Sequence, residues 1–420
     1  MTLSRRLYTL ALYLLMPWAM LHLLLRSRKQ PEYLGHWRER FGRYPTRRNS
    51  KPLIWIHAVS VGETRAAQPL VQALQARYPD HAILLTHMTP TGRETCVSLF
   101  GDQVERCYLA YDYPGAVSRF LKHWQPCLGI IMETEIWPNL VSNCAQQGIP
   151  LLLANARLSQ RSANRYDRLA TLVREAMGRL TGVAAQAPAD ADRLRHLGAQ
   201  KVEVTGNIKF DVTVPDEQVQ QGEAFRARIG QRPVLLCAST REGEETLLLD
   251  AWKQAATGDA LLLIVPRHPQ RFAEVTALAR AMGFRVQQRS DDAPVAADTQ
   301  VWIGDSLGEM FAYYTACDVA FIGGSLLDFG SQNLIEPCAV GKPVLLGPST
   351  YNFAQAAADA HAAGAALMVG DAAAMVKEAL ALLADSARRD AMALAGLGFT
   401  SKHRGATTRT LRWIEKILAE

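Results

Sequence analysis

One acidic motif in the first half of the chain is a candidate part of a ligand site. HAVSVGETRAA, residues 57–67, brings Ser60, Gly62 and Glu63 together where a predicted strand passes through a glycine loop into a helix. Ligands of parallel sheets bind at the carboxyl ends of the strands, so this loop is a candidate for ligand contact. Ser60 followed by Glu63 is also a capping box, which would make both residues purely structural. The sequence leaves both interpretations open.

Two further motifs end predicted strands in the same half. MTPTGRET, residues 88–95, contains Thr91, and METEIWPN, residues 132–139, contains Glu133 and Glu135. Because successive side chains of a strand point to opposite faces, we expect one of these glutamates, assigned as Glu135, to face a ligand.

The motif NARLSQRS, residues 155–162, adds Arg157 and Arg161 after another predicted strand. Their spacing predicts one helical face. Arginines in this pattern are often surface charges, but their place after a strand favours contact with an anion.

The second half of the chain holds the motif most typical of nucleotide binding. Residues 319–348 predict a buried strand, a Gly323-Gly324 turn, a loop, and a helix that starts near Gln332 and stops at Gly341. A helix N-terminus attracts phosphate, although Asn333 followed by Glu336 is also a capping box. The candidate donor-binding residues are Gly324, Ser325, Gln332, Asn333 and Glu336, together with Arg267, His268 and Pro269, which follow the predicted strand 261–265.

These motifs are positioned by a repeated pattern of short apolar runs and helical stretches. Uninterrupted apolar strands that alternate with helices predict parallel sheets covered on both faces. The pattern runs from residue 53 to 205 and restarts at residue 233, with a polar stretch, 209–221, as a candidate hinge. The predicted fold class is therefore α/β, a GT-B arrangement of two Rossmann-like, doubly wound domains that face a cleft. Ligands then bind at the carboxyl ends of the strands.

The N-terminal segment is expected to bind a membrane. Residues 7–25 carry no charge, a length near the lower limit of roughly 17–25 residues for a membrane-spanning helix. A spanning helix and an amphipathic helix in the interface are both compatible with this segment. Positive charge is heavier after the apolar run than before it, which predicts that the following body stays in the cytoplasm.

The charge distribution argues against a nucleic-acid partner. Residues 1–50 contain ten Lys or Arg and two acidic residues, a charge of +8, so that the other 370 residues carry about −2 of the total of +6. A basic segment beside an apolar run favours an anionic membrane surface or a phosphorylated lipid. Seven scattered cysteines without a CxxC pair predict reduced thiols and no structural zinc.

Taken in order, the motifs resemble those of the 3-deoxy-D-manno-octulosonic acid (Kdo) transferases of lipopolysaccharide biosynthesis. The motifs that carry the resemblance are SVGE at 60–63, MTPTG at 88–92, METEIWPN at 132–139, NARLSQRS at 155–162, GNIKFD at 206–211, PRHPQRF at 266–272 and GGS at 323–325. The resemblance implies an inverting glycosyltransferase at the cytoplasmic side of the bacterial inner membrane. It further implies CMP-Kdo as donor, a lipid A precursor as acceptor, and no required metal or other cofactor.

The resemblance also assigns the parts of the chain. Residues 1–29 would form the membrane anchor and basic flank, residues 30–210 the acceptor-binding domain, and residues 211–420 the domain that binds the nucleotide sugar. Lys209 of the GNIKFD motif joins the candidate acceptor site.

The resemblance changes the interpretation of Glu39. By itself, Glu39 in RERFG would be a solvated ion-pair residue, but the family's proposed catalytic base is a glutamate in a matching stretch. We therefore expect Glu39 to be the base, with Glu63 as the second candidate. Nearby basic residues, among them Arg38, Arg40 and Arg43, are expected to meet lipid phosphates.

The chain departs from the family pattern at one place in the candidate donor site. The family usually has Gly-Gly-His-Asn where this chain has Gly-Ser-Gln-Asn at 330–333. Gln332 can donate a hydrogen bond but cannot carry the charge of an imidazolium. We expect backbone amides, Asn333 and Arg267 to carry more of the interaction with the leaving phosphate.

Two other functions fit parts of the pattern. One is an enzyme of the same fold that uses a UDP-sugar, and it would prefer UDP-sugars to CMP. The other is a non-catalytic, membrane-tethered nucleotide-sugar binding protein, which would bind ligand without turnover.

Overall fold

The computed structural model describes residues 2–46, 50–167 and 169–419. The chain forms two compact units. The first contains the residues up to Asp211 together with those from Arg404 onward, and the second runs from Val212 to His403. Arg47 and Arg48 of the basic segment 1–50 lie outside the described residues.

The first unit is built on a seven-stranded parallel sheet in the order β3-β2-β1-β4-β5-β6-β7. The strands are β1 (Leu53–His57), β2 (Ala82–His87), β3 (Glu105–Tyr108), β4 (Pro126–Met132), β5 (Leu151–Ala156), β6 (Gly182–Ala185) and β7 (Val202–Val204). Trp55 belongs to the apolar cluster on one face of the sheet and Ile54 to the cluster on the other, and both are fully buried. Both faces are covered, as the uninterrupted apolar runs predict.

Among the described residues, eight α-helices of the first unit come before Val212, where the second unit begins. They are α1 (Leu3–Lys29), α2 (Val61–Arg77), α3 (Pro90–Phe100), α4 (Pro114–Trp124), α5 (Pro138–Gln146), α6 (Gln160–Asp167), α7 (Ala170–Met177) and α8 (Pro188–His196). Short 3₁₀ turns occupy Pro31–Leu34, Trp37–Phe41 and Ile208–Phe210. Four of the α-helices begin with a proline at their first position, where the missing N–H group has no helical partner to lose.

The second unit repeats the architecture with a parallel sheet in the order β10-β11-β9-β8-β12-β13-β14. Its strands are β8 (Val234–Thr240), β9 (Leu261–Pro266), β10 (Val286–Gln288), β11 (Val301–Ile303), β12 (Val319–Ile322), β13 (Val344–Leu346) and β14 (Ala366–Met368). Its helices are α9 (Asp216–Ile229), α10 (Glu244–Gln254), α11 (Phe272–Ala281), α12 (Met310–Ala316), α13 (Ile335–Ala339), α14 (Ala354–Ala362), α15 (Ala372–Ala384) and α16 (Ser386–His403).

The end of the chain differs from the sequence prediction. Residues 404–420 were assigned to the second domain, but helix α17 (Ala406–Ala419) packs on α2 of the first unit. Trp413 and Ile414 are buried in the apolar core of that unit. The carboxylate of Asp211 accepts hydrogen bonds from the backbone N–H groups of Gly405 and Thr407, so it caps the returning helix.

The predicted donor helix is also shorter than expected. It begins at Ile335 and ends at Ala339, five residues in all. The backbone N–H groups of Ser331 and Gln332 donate to the carbonyl oxygens of Gly324 and Gly323, and these bonds hold the preceding residues in a loop. The Asn333 side chain accepts from Ile335 N–H and donates to Glu336, so this pair caps the short helix.

Both sheets reverse their winding direction beside their first strand. The reversal lies between β1 and β4 in the first unit and between β8 and β12 in the second. Ligands of open α/β sheets bind outside the carboxyl ends of the strands at such a reversal. The motifs of the sequence analysis lie in the loops that follow these strands.

Candidate active site

Glu39 is held in the 3₁₀ turn Trp37–Phe41, beside the carboxyl end of β3. Its Oε2 accepts a hydrogen bond from the backbone N–H of Tyr108 at 2.8 Å and pairs with Arg93 Nη1 at 3.1 Å. Its Oε1 lies 3.4 Å from Nδ1 of His36. Oε1 is therefore the less engaged oxygen, and it is the one that can accept a substrate proton.

The surroundings of Glu39 combine burial with access to a cavity. Glu39 is 4% exposed, and with His36 and Arg93 it lines a cavity of 770 Å³ in the first unit. The turn ends at Gly42, whose φ of 73° is left-handed, and an added Cβ would lie 2.4 Å from the carbonyl oxygen of Ala116. Only glycine therefore fits there, and this fixes the turn that presents Glu39.

The two arginines that flank Glu39 differ from each other. Arg38 is exposed, as a residue that meets a lipid phosphate must be. Arg40 is 2% exposed, donates from Nη1 to the carbonyl oxygen of Met88 at 3.1 Å, and lies 4.0 Å from the ring centroid of Tyr108. Arg40 is thus an interior residue, and the expectation that it meets lipid at the surface is wrong.

Glu63 lies at the start of α2, next to the reversal in the first sheet. It accepts hydrogen bonds from the backbone N–H of Val59 at 2.8 Å and from Ser60 Oγ at 3.1 Å. Both bonds support the turn into the helix, but the predicted capping box is not formed, because the Ser60 side chain caps no backbone N–H and Glu63 accepts from Val59 rather than from Ser60 N–H. Gly62 is exposed, and a Cβ added there would meet only Ser60 Oγ, at 4.0 Å. The loop is therefore open to a ligand.

Three carboxylates converge after β1 and β4. Burial, supported by the charges of Glu133 and Glu135 and opposed by the hydrogen bond from Val59, raises the pKa of Glu63 to about 7. Glu133 pairs with Lys209 Nζ at 2.9 Å, and Glu135 accepts from the Trp137 indole at 3.1 Å. Burial also raises the pKa of Glu135.

The expectation that Glu133 and Glu135 point to opposite sides rested on strand geometry, and it is wrong. β4 ends at Met132, and Glu133 has a left-handed φ of 58° in the following turn. The charges of both side chains raise the pKa of Glu63.

The two candidate bases occupy different places on the sheet edge. Glu39 is tied to the end of β3, whereas Glu63 follows β1, two strands away in the order β3-β2-β1. Neighbouring strands are roughly 4.8 Å apart, so these anchoring points are separated by about 10 Å. One hydroxyl group cannot be deprotonated by both carboxylates, and a mutation can distinguish them.

The remaining candidates of the first unit lie at the same edge. Thr91 is exposed in the first turn of α3, Arg157 is exposed directly after β5, and Arg161 is exposed in the first turn of α6. Arg157 precedes α6, so the expectation that it shares a helical face with Arg161 is wrong.

Several residues of this edge were missed by the sequence analysis. Arg93 and Tyr108 contact Glu39 from separate segments, so only the folded chain brings them together, whereas His36 is a local neighbour three residues before Glu39. His57 and His87 end β1 and β2 and are fully buried. Burial lowers the pKa of His57 to about 3 and that of His87 to about 4, so both are neutral near pH 7.

In the second unit, one buried carboxylate organises the candidate donor loop. Glu244 is fully buried at the start of α10 and accepts hydrogen bonds from the backbone N–H groups of Arg241 at 2.8 Å, Gly324 at 2.6 Å and Leu326 at 3.0 Å. It thereby joins the loop after β8 to the loop after β12. Burial raises the pKa of Glu244, and the bonds from the backbone N–H groups oppose that shift.

The other donor candidates are grouped around this loop. Arg267 donates from Nε to Gln332 Oε1 at 3.1 Å. Ser325 is fully buried, and its Oγ accepts from Gly347 N–H at 2.8 Å, so it links the loop to the end of β13. His268 and Pro269 follow β9 at the same edge of the sheet. Asn333 and Glu336 bond to each other and cap α13, which favours the structural interpretation for this pair.

Helix α1 docks on the first unit along one face. Arg5 pairs with Glu175 at 3.3 Å, Tyr8 donates to Asp112 at 3.0 Å, and Thr9 bonds to Asn139 at 3.2 Å. The large apolar side chains of α1 that remain about half or more exposed are Leu3, Leu7, Leu10, Tyr13, Leu14, Leu15, Trp18, Leu21, Leu24 and Leu25. By length and composition alone, α1 is one described helix that could cross a membrane.

Comparison with protein families gives one match over the first unit. The model of the family described as 3-Deoxy-D-manno-octulosonic-acid transferase (kdotransferase) matches residues 35–212. The 3-deoxy-D-manno-octulosonic acid transferase of Bordetella pertussis is 45% identical over 98% of this chain and 99% of its own length. The protein of the same name from Haemophilus influenzae is 38% identical over 98% of both chains.

Solved structures are similar at the level of the fold. A glycosyltransferase from Rickettsia africae matches 89% of this chain and 100% of its own with a TM-score of 0.59 and 13% identity. The UDP-GlcNAc 2-epimerase of Neisseria meningitidis, bound to UDP-GlcNAc, matches 87% of this chain and 100% of its own with a TM-score of 0.57 and 15% identity. With two parallel seven-stranded sheets, the chain has the GT-B fold.

Proposed function

We infer the reaction of this chain from the family to which it belongs, the 3-deoxy-D-manno-octulosonic acid transferases. The chain is a glycosyltransferase. We propose that it transfers Kdo from CMP-Kdo to a lipid A precursor, lipid IV(A), with inversion and without a metal or other cofactor. The observation that carries the proposal is the 45% identity to a Kdo transferase over nearly the full length of both chains.

The geometry of Glu39 suits the first half of this reaction. Its Oε2 is fixed by Arg93 and by the Tyr108 amide, and Oε1 is left to accept a proton. In the proposed step, Oε1 takes the proton of a primary hydroxyl of the acceptor while the hydroxyl oxygen bonds to the anomeric carbon of Kdo. Because the carboxylate is held by two donors, it needs little reorganisation to reach the reactive geometry.

The second half of the step takes place at the donor. The bond from the anomeric carbon to the phosphate oxygen breaks, and its electron pair leaves with CMP. The developing charge is met by cationic side chains and amide donors at the carboxyl ends of β8, β9 and β12, where Arg267 and Gln332 are linked. The five-residue helix α13 offers no free first N–H group, because Asn333 already occupies it. We therefore do not propose that the N-terminus of α13 binds the phosphate.

A UDP-sugar donor is the second candidate, and it is favoured by the fold similarity to an epimerase bound to UDP-GlcNAc. Equilibrium binding of CMP and UDP to the purified full-length chain in detergent decides between them. We expect CMP to bind at least about tenfold more tightly than UDP. Tighter binding of UDP would contradict the proposed donor.

We further propose that α1 lies in the plane of the cytoplasmic leaflet of the inner membrane. Its first two turns are tied to the first unit by the contacts of Arg5, Tyr8 and Thr9. A spanning helix would carry these residues across a hydrocarbon layer of about 30 Å, away from a body that remains in the cytoplasm. The exposed leucines and Trp18 lie opposite the docked side, as in helices that bind an interface.

The position of the N-terminus tests this orientation. In spheroplasts treated with protease, an epitope tag before Met1 should remain intact, because an in-plane helix keeps both ends in the cytoplasm. The same tag should be digested in inverted vesicles, which shows that it is cleavable. Digestion of the tag in intact spheroplasts would instead show that α1 crosses the bilayer.

A further inference from the structure

Arg241 is a residue of the second unit that lies beside the candidate donor loop. It directly follows β8, Arg267 follows β9, and Gly323-Gly324 follow β12. These three strands are neighbours in the order β9-β8-β12, and the sheet reverses its winding between β8 and β12. Arg241 therefore lies at the place where an open α/β sheet binds its ligand.

The backbone of Arg241 is fixed relative to the glycine turn. The Glu244 carboxylate accepts from the N–H groups of both Arg241 and Gly324. Gly324 has a left-handed φ of 72°, and an added Cβ would lie 3.2 Å from Gln332 Nε2 and 3.4 Å from Arg241 Cγ. The side chains of Arg241 and Gln332 thus border the same glycine, and that glycine leaves space between them.

The guanidinium of Arg241 is held in place but is not neutralised. It lies over the ring of Phe329 at 4.5 Å from the centroid, a stacking that restricts the side chain while leaving its N–H groups at the edge. Among the described residues it makes no ion pair. Arg271 of the same unit differs, because it pairs with Glu245 at 2.6 Å and with Glu274 at 3.3 Å.

Gln332 is oriented by its other neighbour. Arg267 Nε donates to Gln332 Oε1, so the amide nitrogen of Gln332 is turned toward Gly324 and Arg241. Burial lowers the pKa of His268, and the charges of Arg267, Arg241 and Arg271 lower it further. A positive field therefore extends over this edge, and the buried carboxylate of Glu244 beside it is engaged by backbone N–H groups.

We propose that Arg241 binds the phosphate of the nucleotide donor, together with the amide of Gln332 across Gly324. The inference rests on the proposed function, in which the donor is a cytidine nucleotide. Arg241 supplies the fixed positive charge that Gln332 cannot carry, and its fork of N–H groups suits a phosphate. The ligand chemistry is an oxyanion, and the glycine turn favours the phosphate over the sugar carboxylate because a phosphate needs close backbone approach.

Calorimetric binding of CMP and cytidine to the full-length chain in detergent tests this role. We expect Arg241→Gln to weaken CMP binding by about ten- to a hundredfold, as for the loss of a charged hydrogen bond, and to leave cytidine binding unchanged. Arg241→Lys should lie between Arg241→Gln and wild type, because it keeps the charge and loses the fork. Arg280→Gln, an exposed position on α11 of the same unit, is the charge-matched control and should bind CMP as wild type does.

The results that would contradict the inference can be distinguished from those that would contradict the proposed function. CMP affinity of Arg241→Gln within twofold of wild type would overturn the inference while leaving the donor assignment intact. An equal loss for CMP and cytidine would also overturn it, because it would locate the effect in the nucleoside site. A wild-type chain that binds UMP but not CMP, or neither, would overturn the proposed function and this inference with it. The thermal unfolding midpoint of each variant shows that it is folded.

Discussion

Glu39→Gln is expected to lower the rate of Kdo transfer by about 10²–10⁴-fold, the usual contribution of a general base. Glutamine can still accept from the Tyr108 N–H, and it fills the same space at a position that is 4% exposed. It cannot take a proton at the reacting hydroxyl. The loss should therefore appear in kcat, with little change in the affinity for CMP, because the proposed CMP site lies in the second unit.

The matched control for this variant is Glu203→Gln, an exposed glutamate on the edge strand β7 of the same unit. It loses the same charge and should keep full activity. Undiminished transfer by Glu39→Gln would move the base elsewhere, with Glu63 as the first candidate. In that case kcat/KM should rise as the pH passes through about 7, because burial raises the pKa of Glu63 to about 7 and a carboxylate accepts protons only above its pKa.

Glu244→Gln is expected to disrupt the backbone conformation of the donor loop. Its two oxygens accept three backbone N–H groups, from Arg241, Gly324 and Leu326. A glutamine amide presents its NH₂ group to at least one of these donors and leaves that donor buried without a partner, at a cost of roughly 1–3 kcal/mol for each group. We expect the free energy of unfolding to fall by about 2–4 kcal/mol and the CMP affinity to fall at least about tenfold.

Hydrogen exchange locates this effect in the chain. The amides of residues 323–327 should exchange faster in Glu244→Gln than in wild type, whereas those of β1 and β4 in the other unit should not change. Glu242→Gln, an exposed neighbour in the same loop, is the matched control and should behave as wild type. If Glu244→Gln kept both the protection of the loop and the CMP affinity, the carboxylate would have no organising role.

The architecture could be predicted from the sequence because the central strands are uninterrupted apolar runs. β1 (Leu53–His57) and β6 (Gly182–Ala185) consist of such runs and lie in the predicted range 53–205. The strands that the sequence analysis missed, β3, β10 and β14, are edge strands of only three or four residues, and β3 and β10 also contain few apolar side chains. Edge strands are buried less, so they have less apolar periodicity to detect.

The return of α17 to the first unit was not predictable from its own pattern. An amphipathic helix has one apolar face, and the sequence does not indicate which unit's apolar core buries that face. The structure settles this by placing Trp413 against Gly182, where an added Cβ would lie 2.4 Å from the indole ring. The two positions are separated by more than 200 residues, so no local pattern connects them.

The candidate site followed from the sequence only in part. Motifs at strand ends predicted that the candidate residues lie at one edge of each sheet, because a parallel sheet brings all its carboxyl ends together. They did not identify the partners of Glu39, since Arg93 and Tyr108 reach it from α3 and β3. They also did not separate capping from binding at Asn333 and Glu336, because the same residue types serve both purposes.

The most direct test of the account is transfer of Kdo by the purified full-length chain. Freshly generated CMP-Kdo and a tetraacylated lipid A precursor would be supplied in detergent with a chelator present, and the product would be identified by mass spectrometry. We predict that the wild-type chain forms a Kdo-modified lipid and releases CMP in equal amount. A folded wild-type chain that binds CMP but forms no such product, or that transfers sugar only from UDP-sugars, would contradict the account.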